Sequence, residues 1–154
     1  MATGKTAVGR ELARRLNLPF VDLDDVLAGR FGPVATQWTT DGEAEFRSRE
    51  RDLVLELCDG VARVLATGGG TWVDPENRQR LGEHYRLVVL RAPLDALRAR
   101  VGADGDGRPL WSMAAALLEA RAAAYADAEL VVDTGDKTIE EVAEEVSCWV
   151  SASK

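Results

Sequence analysis

Cysteine is nearly missing from this 154-residue chain: Cys58 and Cys148 are the only two, and they form no C-x-x-C pair. Two thiols cannot build a disulfide framework, so a stapled secreted scaffold is excluded and a reducing cytoplasm is the simpler setting. Histidine occurs once, and His84 stands among polar residues before an apolar stretch, which argues against catalysis or metal binding through it. No apolar run approaches the length of a membrane span, and Met1 opens no charged-then-apolar signal pattern. Cationic residues are also in short supply, with 19 Lys and Arg against 26 Asp and Glu and a net charge of −7. Such a balance argues against a nucleic-acid or anionic-membrane surface and leaves small metabolites as partners, with cations enough for one local anion site. The length fits a single domain spanning residues 1–154 with a real core, and there is no internal repeat, low-complexity segment or linker. Aromatics are few, and Trp38, Trp72, Trp111 and Trp149 read as packing residues, with Trp72 and Trp111 near enough to glycine-containing loops to line a site.

What is present begins with Gly4-Lys5-Thr6, the back half of a phosphate-binding loop. A Walker A motif reads G-x-x-x-x-G-K-[ST], and its first glycine would fall two positions before Met1. Gly4 lets backbone N–H groups close around phosphate oxygens, Lys5 brings a point charge to the β/γ-phosphates, and the Thr6 hydroxyl suits Mg²⁺. Val8, Leu12 and Leu16 then share one helical stripe, so the loop opens a helix whose N-terminal dipole favours an anion.

Beyond this helix the pattern alternates strand and helix. Strands are expected at Leu18–Asp22, Arg63–Thr67, Tyr85–Leu90 and Leu130–Asp133. Helices are expected from about Glu43 through Val61, over Pro75–Leu81 and Pro93–Val101, and from the capping box Thr138-x-x-Glu141 to about Val150. Short strands alternating with helices predict an α/β fold with a mostly parallel sheet and helices on both faces. Ligands of such sheets sit at the carboxyl ends of the strands. There this chain places Asp22-Leu23-Asp24 and the triple glycine Gly68-Gly69-Gly70. The Asp-rich stretch also has the form of a helix N-cap with an acidic first turn.

Taken together, Ala2-Thr3-Gly4-Lys5-Thr6-Ala7-Val8-Gly9-Arg10, Phe20-Val21-Asp22-Leu23-Asp24, Asp41-Gly42-Glu43-Ala44-Glu45-Phe46-Arg47, Ala66-Thr67-Gly68-Gly69-Gly70 and Arg108-Pro109-Leu110 resemble shikimate kinase over nearly the whole length. The G-E-x-x-F-R segment and the triple glycine are the specific parts, since many P-loop kinases share GKT alone. The resemblance implies a three-layer P-loop kinase fold, nucleoside-monophosphate-kinase-like, and transfer of the γ-phosphoryl of ATP to the 3-hydroxyl of shikimate, a step toward chorismate and the aromatic amino acids. It implies ATP and Mg²⁺ as cofactors, shikimate as substrate, no nucleic-acid or membrane partner, and a cytoplasmic monomer.

By the same resemblance, Ala2, Thr3, Gly4, Lys5, Thr6 and Ala7 cradle the nucleotide phosphates, while Thr6 and Asp22 serve the metal. Asp24 orients the 3-hydroxyl and can act as general base. Arg47 and Arg121 clamp the substrate carboxylate, for which a planar guanidinium is suited. Gly68, Gly69 and Gly70 let the backbone approach the ring. Residues at about 102–111 form a mobile lid whose Arg108 closes on the phosphates, and Arg100 lies against adenine. For Arg47 the plain alternative is a solvated residue on a charged helix, beside Arg49, Glu50 and Arg51.

The chain departs from the family in three respects. The interval from Arg108 to Arg121 is short, Ala122-Ala123-Ala124-Tyr125 replaces the usual A-P-L-Y, and the first strand with the leading glycine of the loop is missing before Met1. A misassigned start or a truncated record is the expectation for the last of these. Two other functions remain as alternatives: a gluconate-type small-metabolite kinase, and a non-catalytic ligand-sensing domain of the same fold.

Overall fold

A computed structural model describes residues 3–101, 114–126 and 128–152. Helix α1 (Lys5–Leu16) leads into strand β1 (Phe20–Asp22), then α2 (Leu23–Phe31), the single turn α3 (Val34–Thr36), a π-helical turn at Gln37–Asp41, and α4 (Glu43–Leu57). Strand β2 (Val64–Ala66), α5 (Pro75–His84), β3 (Val88–Arg91), α6 (Leu94–Val101), α7 (Ala114–Tyr125), β4 (Leu130–Asp133) and α8 (Ile139–Ala152) complete the order.

Where strand limits differ from the expectation, backbone hydrogen bonding explains it. Leu18 N–H is used by Ala13 O at the end of α1, and Pro19 has no N–H, although its carbonyl accepts from Val64 N–H, so β1 begins only at Phe20. Tyr85 N–H donates to Leu81 O, which carries α5 on to His84 and delays β3 to Val88. The capping box forms as expected, with Thr138 N–H donating to Glu141 Oε2 at 2.8 Å and Glu141 N–H to Thr138 Oγ1 at 3.2 Å. Helices α2 and α7 and the π-helical turn are additions to the predicted pattern. The end of α2 is closed from a distance, since the buried Gln37 donates from Nε2 to Leu27 O (3.2 Å) and Gly32 O (2.7 Å).

All the strand pairing is parallel: β1 with β2 in the register Phe20 to Val64, and β3 with β4 in the register Val88 to Leu130. Among the described residues these remain two separate pairs. Each pair has its own core. Leu23, Leu27, Phe46, Leu53, Val54, Trp72 and Leu81 bury one, with Leu65 and Leu87 against it; Val8, Val132, Val142, Ala143 and Val146 bury the other, with Val88 and Leu90 against it. Val88 and Leu90, two apart on β3, face the same core, while Leu87 just before the strand packs on the other.

Between the two pairs runs a slot of about 490 Å³, lined by residues of β2 and β3, by Lys5 and Leu12 of α1 and by Val146 of α8. Free strand edges lined by apolar side chains present unpaired N–H and C=O groups in a setting where water is a poor substitute. An added apolar strand of ordinary length that fills the slot is therefore expected to raise the melting temperature. Thermal melts of the chain with and without such a strand, joined as a roughly ten-residue extension, decide this, and equal melting temperatures would count against the slot as a strand position.

Candidate active site

The carboxyl ends of β1 and β2 and the start of α1 meet at one place. Gly4 caps α1 in the left-handed conformation (φ 86°), which an L side chain resists, and Lys5 is the first helical residue. Thr3 beside them is buried and Ala7 lies in the first turn. Thr6 Oγ1 donates to Asp22 Oδ2 at 2.6 Å. The other oxygen of Asp22 accepts from Asp24 N–H at 3.0 Å and so caps α2. Both readings of the Asp-rich stretch are therefore realised at once: Asp22 is a helix cap and a partner of the phosphate-loop threonine.

Asp24 sits in the first turn of α2, open to water yet recessed among protein atoms on several sides. Desolvation, then the neighbouring Asp22 carboxylate, pushes its carboxyl above the usual aspartate range, and the Lys5 ammonium acts against them.

The three glycines after β2 bring the remaining groups together. A Cβ on Gly68 would lie 3.2 Å from Asp24 Oδ1, one on Gly69 would lie 2.5 Å from Arg121 Nη1, and one on Gly70 would collide with the Arg47 guanidinium. Asp24, Arg121 and Arg47 thus lie against three consecutive glycines. Arg121, on α7, is buried and hydrogen-bonds the Tyr125 hydroxyl, which itself donates to Gly69 O at 2.6 Å. Arg47, on α4, is one-fifth exposed, lies 5.3 Å from the Trp38 ring centre, and donates from Nη1 to Glu50 Oε2 at 2.7 Å. It is not the solvated helix residue of the plain alternative.

Several sequence expectations fall elsewhere. Ala2, Arg108 and the lid at about 102–111 lie outside the described residues, as does Trp111, and Arg100 lies on α6 with its side chain outside them. Trp72 packs in a core rather than over the glycines, and Trp38 has a larger part than packing, because it stacks on Arg47. Glu50, Thr71 and Tyr125 escaped the sequence reading. Glu50 has the appearance of one more charge on a charged helix, and nothing local marks it as buried. Among the described residues no helix is long and apolar enough to cross a membrane.

The family model described as shikimate kinase matches residues 1–150. The shikimate kinase of Geobacter sulfurreducens is 40% identical over 157 residues, covering 97% of this chain and 86% of that protein. The shikimate kinase of Ruegeria pomeroyi is 38% identical, covering 100% of this chain and 83% of that protein. Among solved structures, the shikimate kinase from Acinetobacter baumannii in complex with shikimate superposes with a TM-score of 0.92 at 30% identity, covering 100% of this chain and 90% of that one.

The raised Asp24 pKa makes a prediction about stability. A carboxyl whose folded pKa lies above its unfolded value supports the fold while protonated, below the ordinary aspartate range, and loses that contribution as pH rises through the raised value. In metal-free buffer Asp24→Asn should therefore melt above the parent chain at neutral pH, by a modest margin because water still reaches the carboxylate, and the gap should close as pH falls below about 4. Melting curves across pH check it; a gap that widens on acidification contradicts the assignment.

Proposed function

The chain belongs to the shikimate kinase family, and from that premise we propose how its own residues carry the reaction. The reaction is ATP-dependent phosphorylation of the 3-hydroxyl of shikimate, with shikimate and ATP as substrates. The observation that carries the residue assignment is the glycine triplet, which gathers one carboxylate and two guanidiniums around a single short loop.

Shikimate presents a carboxylate at one end of its ring and hydroxyls at the other. Arg47 and Arg121, seated on Gly70 and Gly69, take the carboxylate, and Asp24, beside Gly68, takes the hydroxyl end. Bare backbone at Gly68–Gly70 lets the ring lie against the loop. Asp24 orients the 3-hydroxyl so that its oxygen forms the new bond to the γ-phosphorus as the bond to the bridging oxygen of ADP breaks. The hydroxyl proton passes to Asp24 and then to water, a transfer suited to a carboxylate of raised basicity.

On the nucleotide side, the amides at Thr3–Ala7 and the Lys5 ammonium hold the β/γ-phosphates at the positive end of α1. Phosphoryl transfer depends mainly on such positioning and charge stabilisation. The Thr6 hydroxyl and the Asp22 carboxylate are hard oxygen donors already in contact, a set that fits Mg²⁺, which retains several waters and needs few protein ligands. Bound there by Thr6 and Asp22, Mg²⁺ would supply positive charge against the phosphates. Arg108 and a lid at about 102–111 belong to the same reading as the group that closes on the phosphates, with Arg100 against adenine. A single domain spanning residues 1–154, acting as a cytoplasmic monomer, completes it. No specific observation favours the gluconate-type or the sensing alternative.

Replacing Arg47 with Ala should weaken shikimate by about 2–4 kcal/mol while leaving ATP nearly unchanged, since a carboxylate loses its charge-assisted partner. Calorimetric titration with each ligand is the measurement, and equal weakening of both would make Arg47 structural. In the Asp24→Asn variant kcat should fall by about 10²-fold or more with ATP affinity retained. Near-normal turnover would remove Asp24 from the hydroxyl.

A further inference from the structure

Tyr125 is the last residue of α7, and its hydroxyl donates to Gly69 O at 2.6 Å, from 56 positions further along the chain. The same hydroxyl meets the guanidinium of Arg121, one turn earlier on the helix. Residues four apart share a face only while a helix is unbroken. Ala122, Ala123 and Ala124 keep α7 unbroken, because alanine is the strongest helix former, whereas proline in place of Ala123 would remove an intrahelical donor. Beyond Tyr125 the chain turns, with Ala126 N–H on Ala123 O and Ala128 N–H on Tyr125 O, so the backbone that carries the phenol is fixed as well. Burial pushes the Tyr125 pKa up, and the hydroxyl stays a neutral donor.

The group it holds is one well able to turn. A peptide between two glycines flips at little cost, because neither end carries a Cβ to exclude the left-handed region. In a trans peptide C=O and N–H point to opposite sides, so Gly69 O held toward α7 keeps Gly70 N–H on the other side. A guanidinium can only donate, so the phenol oxygen accepts from Arg121 and its one proton goes to Gly69 O. A flipped peptide would leave that proton without its acceptor. Arg121 is itself buried, and a Cβ on Gly69 would lie 2.5 Å from Arg121 Nη1 and 3.6 Å from the Tyr125 hydroxyl, so guanidinium, phenol and peptide meet at one point.

We propose that Tyr125 is a positioning residue for substrate binding, whose hydroxyl fixes the orientation of the Gly69–Gly70 peptide and seats the Arg121 guanidinium on it. This role rests on the assignment of Arg121 to the substrate carboxylate. A neutral partner suits that place, since it orients the guanidinium and leaves its charge undiminished for an anionic ligand, where a carboxylate partner would offset it.

The test compares Tyr125→Phe, Arg121→Ala and the double variant with the parent chain, at a temperature where melting curves show all of them folded. KM for shikimate, for its carboxamide analogue and for ATP is measured together with kcat. The rise in melting temperature on adding shikimate is recorded too, because it reads binding even in a destabilised chain. Phenylalanine keeps the ring and removes only the oxygen that touches both Gly69 O and Arg121. Tyr125→Phe should raise the shikimate KM about tenfold, the scale of one hydrogen bond that orients a charged group, with the ATP KM within about twofold. In the Arg121→Ala background the same change should cost less than about threefold, because the guanidinium it seats is gone, and with the carboxamide its effect should shrink likewise. If Arg121→Ala raises the shikimate KM and Tyr125→Phe leaves both that KM and the shikimate-induced melting shift unchanged, the positioning role is wrong and the Arg121 assignment stands. Effects that multiply fully in the double variant would also overturn the role, since Tyr125 would then act independently of Arg121. If Arg121→Ala itself leaves shikimate unchanged, the assignment beneath the role is wrong. Equal losses for shikimate, carboxamide and ATP would make Tyr125 a residue of the fold alone.

Discussion

The gathering of Asp24, Arg47 and Arg121 at one place depends on backbone without side chains at Gly68, Gly69 and Gly70. The Arg47 and Arg121 guanidiniums approach this loop so closely that a single added carbon at Gly69 or Gly70 would displace them. Because the loop follows β2, its position is set by the parallel pairing of Val64–Ala66 with Phe20–Asp22, and the same pairing places Asp22 and Asp24 beside it. One short ladder therefore sets Asp24 in register with the loop against which Arg47 and Arg121 lie. Catalysis by positioning requires that kind of rigidity, since small displacements of the reacting groups cost rate steeply.

Charge is distributed on the same plan. The chain as a whole is acidic, with a net charge of −7, yet the start of α1 and the glycine loop each gather cations. Asp22 holds Thr6 and caps α2, so one carboxylate stabilises the scaffold and orients a donor for the nucleotide side. Glu50 has the corresponding place on the substrate side, between Arg47 and Thr71. In both cases an acid is held by hydrogen bonds that leave it no freedom. Asp24 differs: recessed beside Asp22 and with water still in reach, it retains the basicity that a proton acceptor needs.

The two cores and the slot between them describe how the halves of the molecule relate. The core under β1 and β2 carries the substrate site through α2, α4 and α7, whereas the core under β3 and β4 is built largely from α1 and α8. Helix α1 belongs to both, since it packs on α8 and also contributes Lys5 and Thr6 to the site. Changes that disturb the slot should therefore be felt at the start of α1, because Lys5 is among the residues that line it.

The motifs at Gly4–Thr6, Asp22–Asp24, Arg47 and Gly68–Gly70, together with the alternation of strands and helices, were sufficient by themselves to identify the α/β class and the family, and to single out residues that the fold gathers at one place. Those features are legible because they are local: a capping box, a strand period and a glycine run state their physics within a few residues. The sequence could not show that Gln37 closes α2, that Tyr85 belongs to the end of α5 before β3 begins, or that among the described residues the strands form two separate pairs. Nor could it distinguish Glu50 from Glu43 and Glu45 on the same helix, or Trp38 from any other packing tryptophan. Those distinctions belong to tertiary structure alone, because burial and hydrogen-bond partners are set by which distant segments pack on a helix face, and Thr71 reaches Glu50 from 21 positions further along the chain.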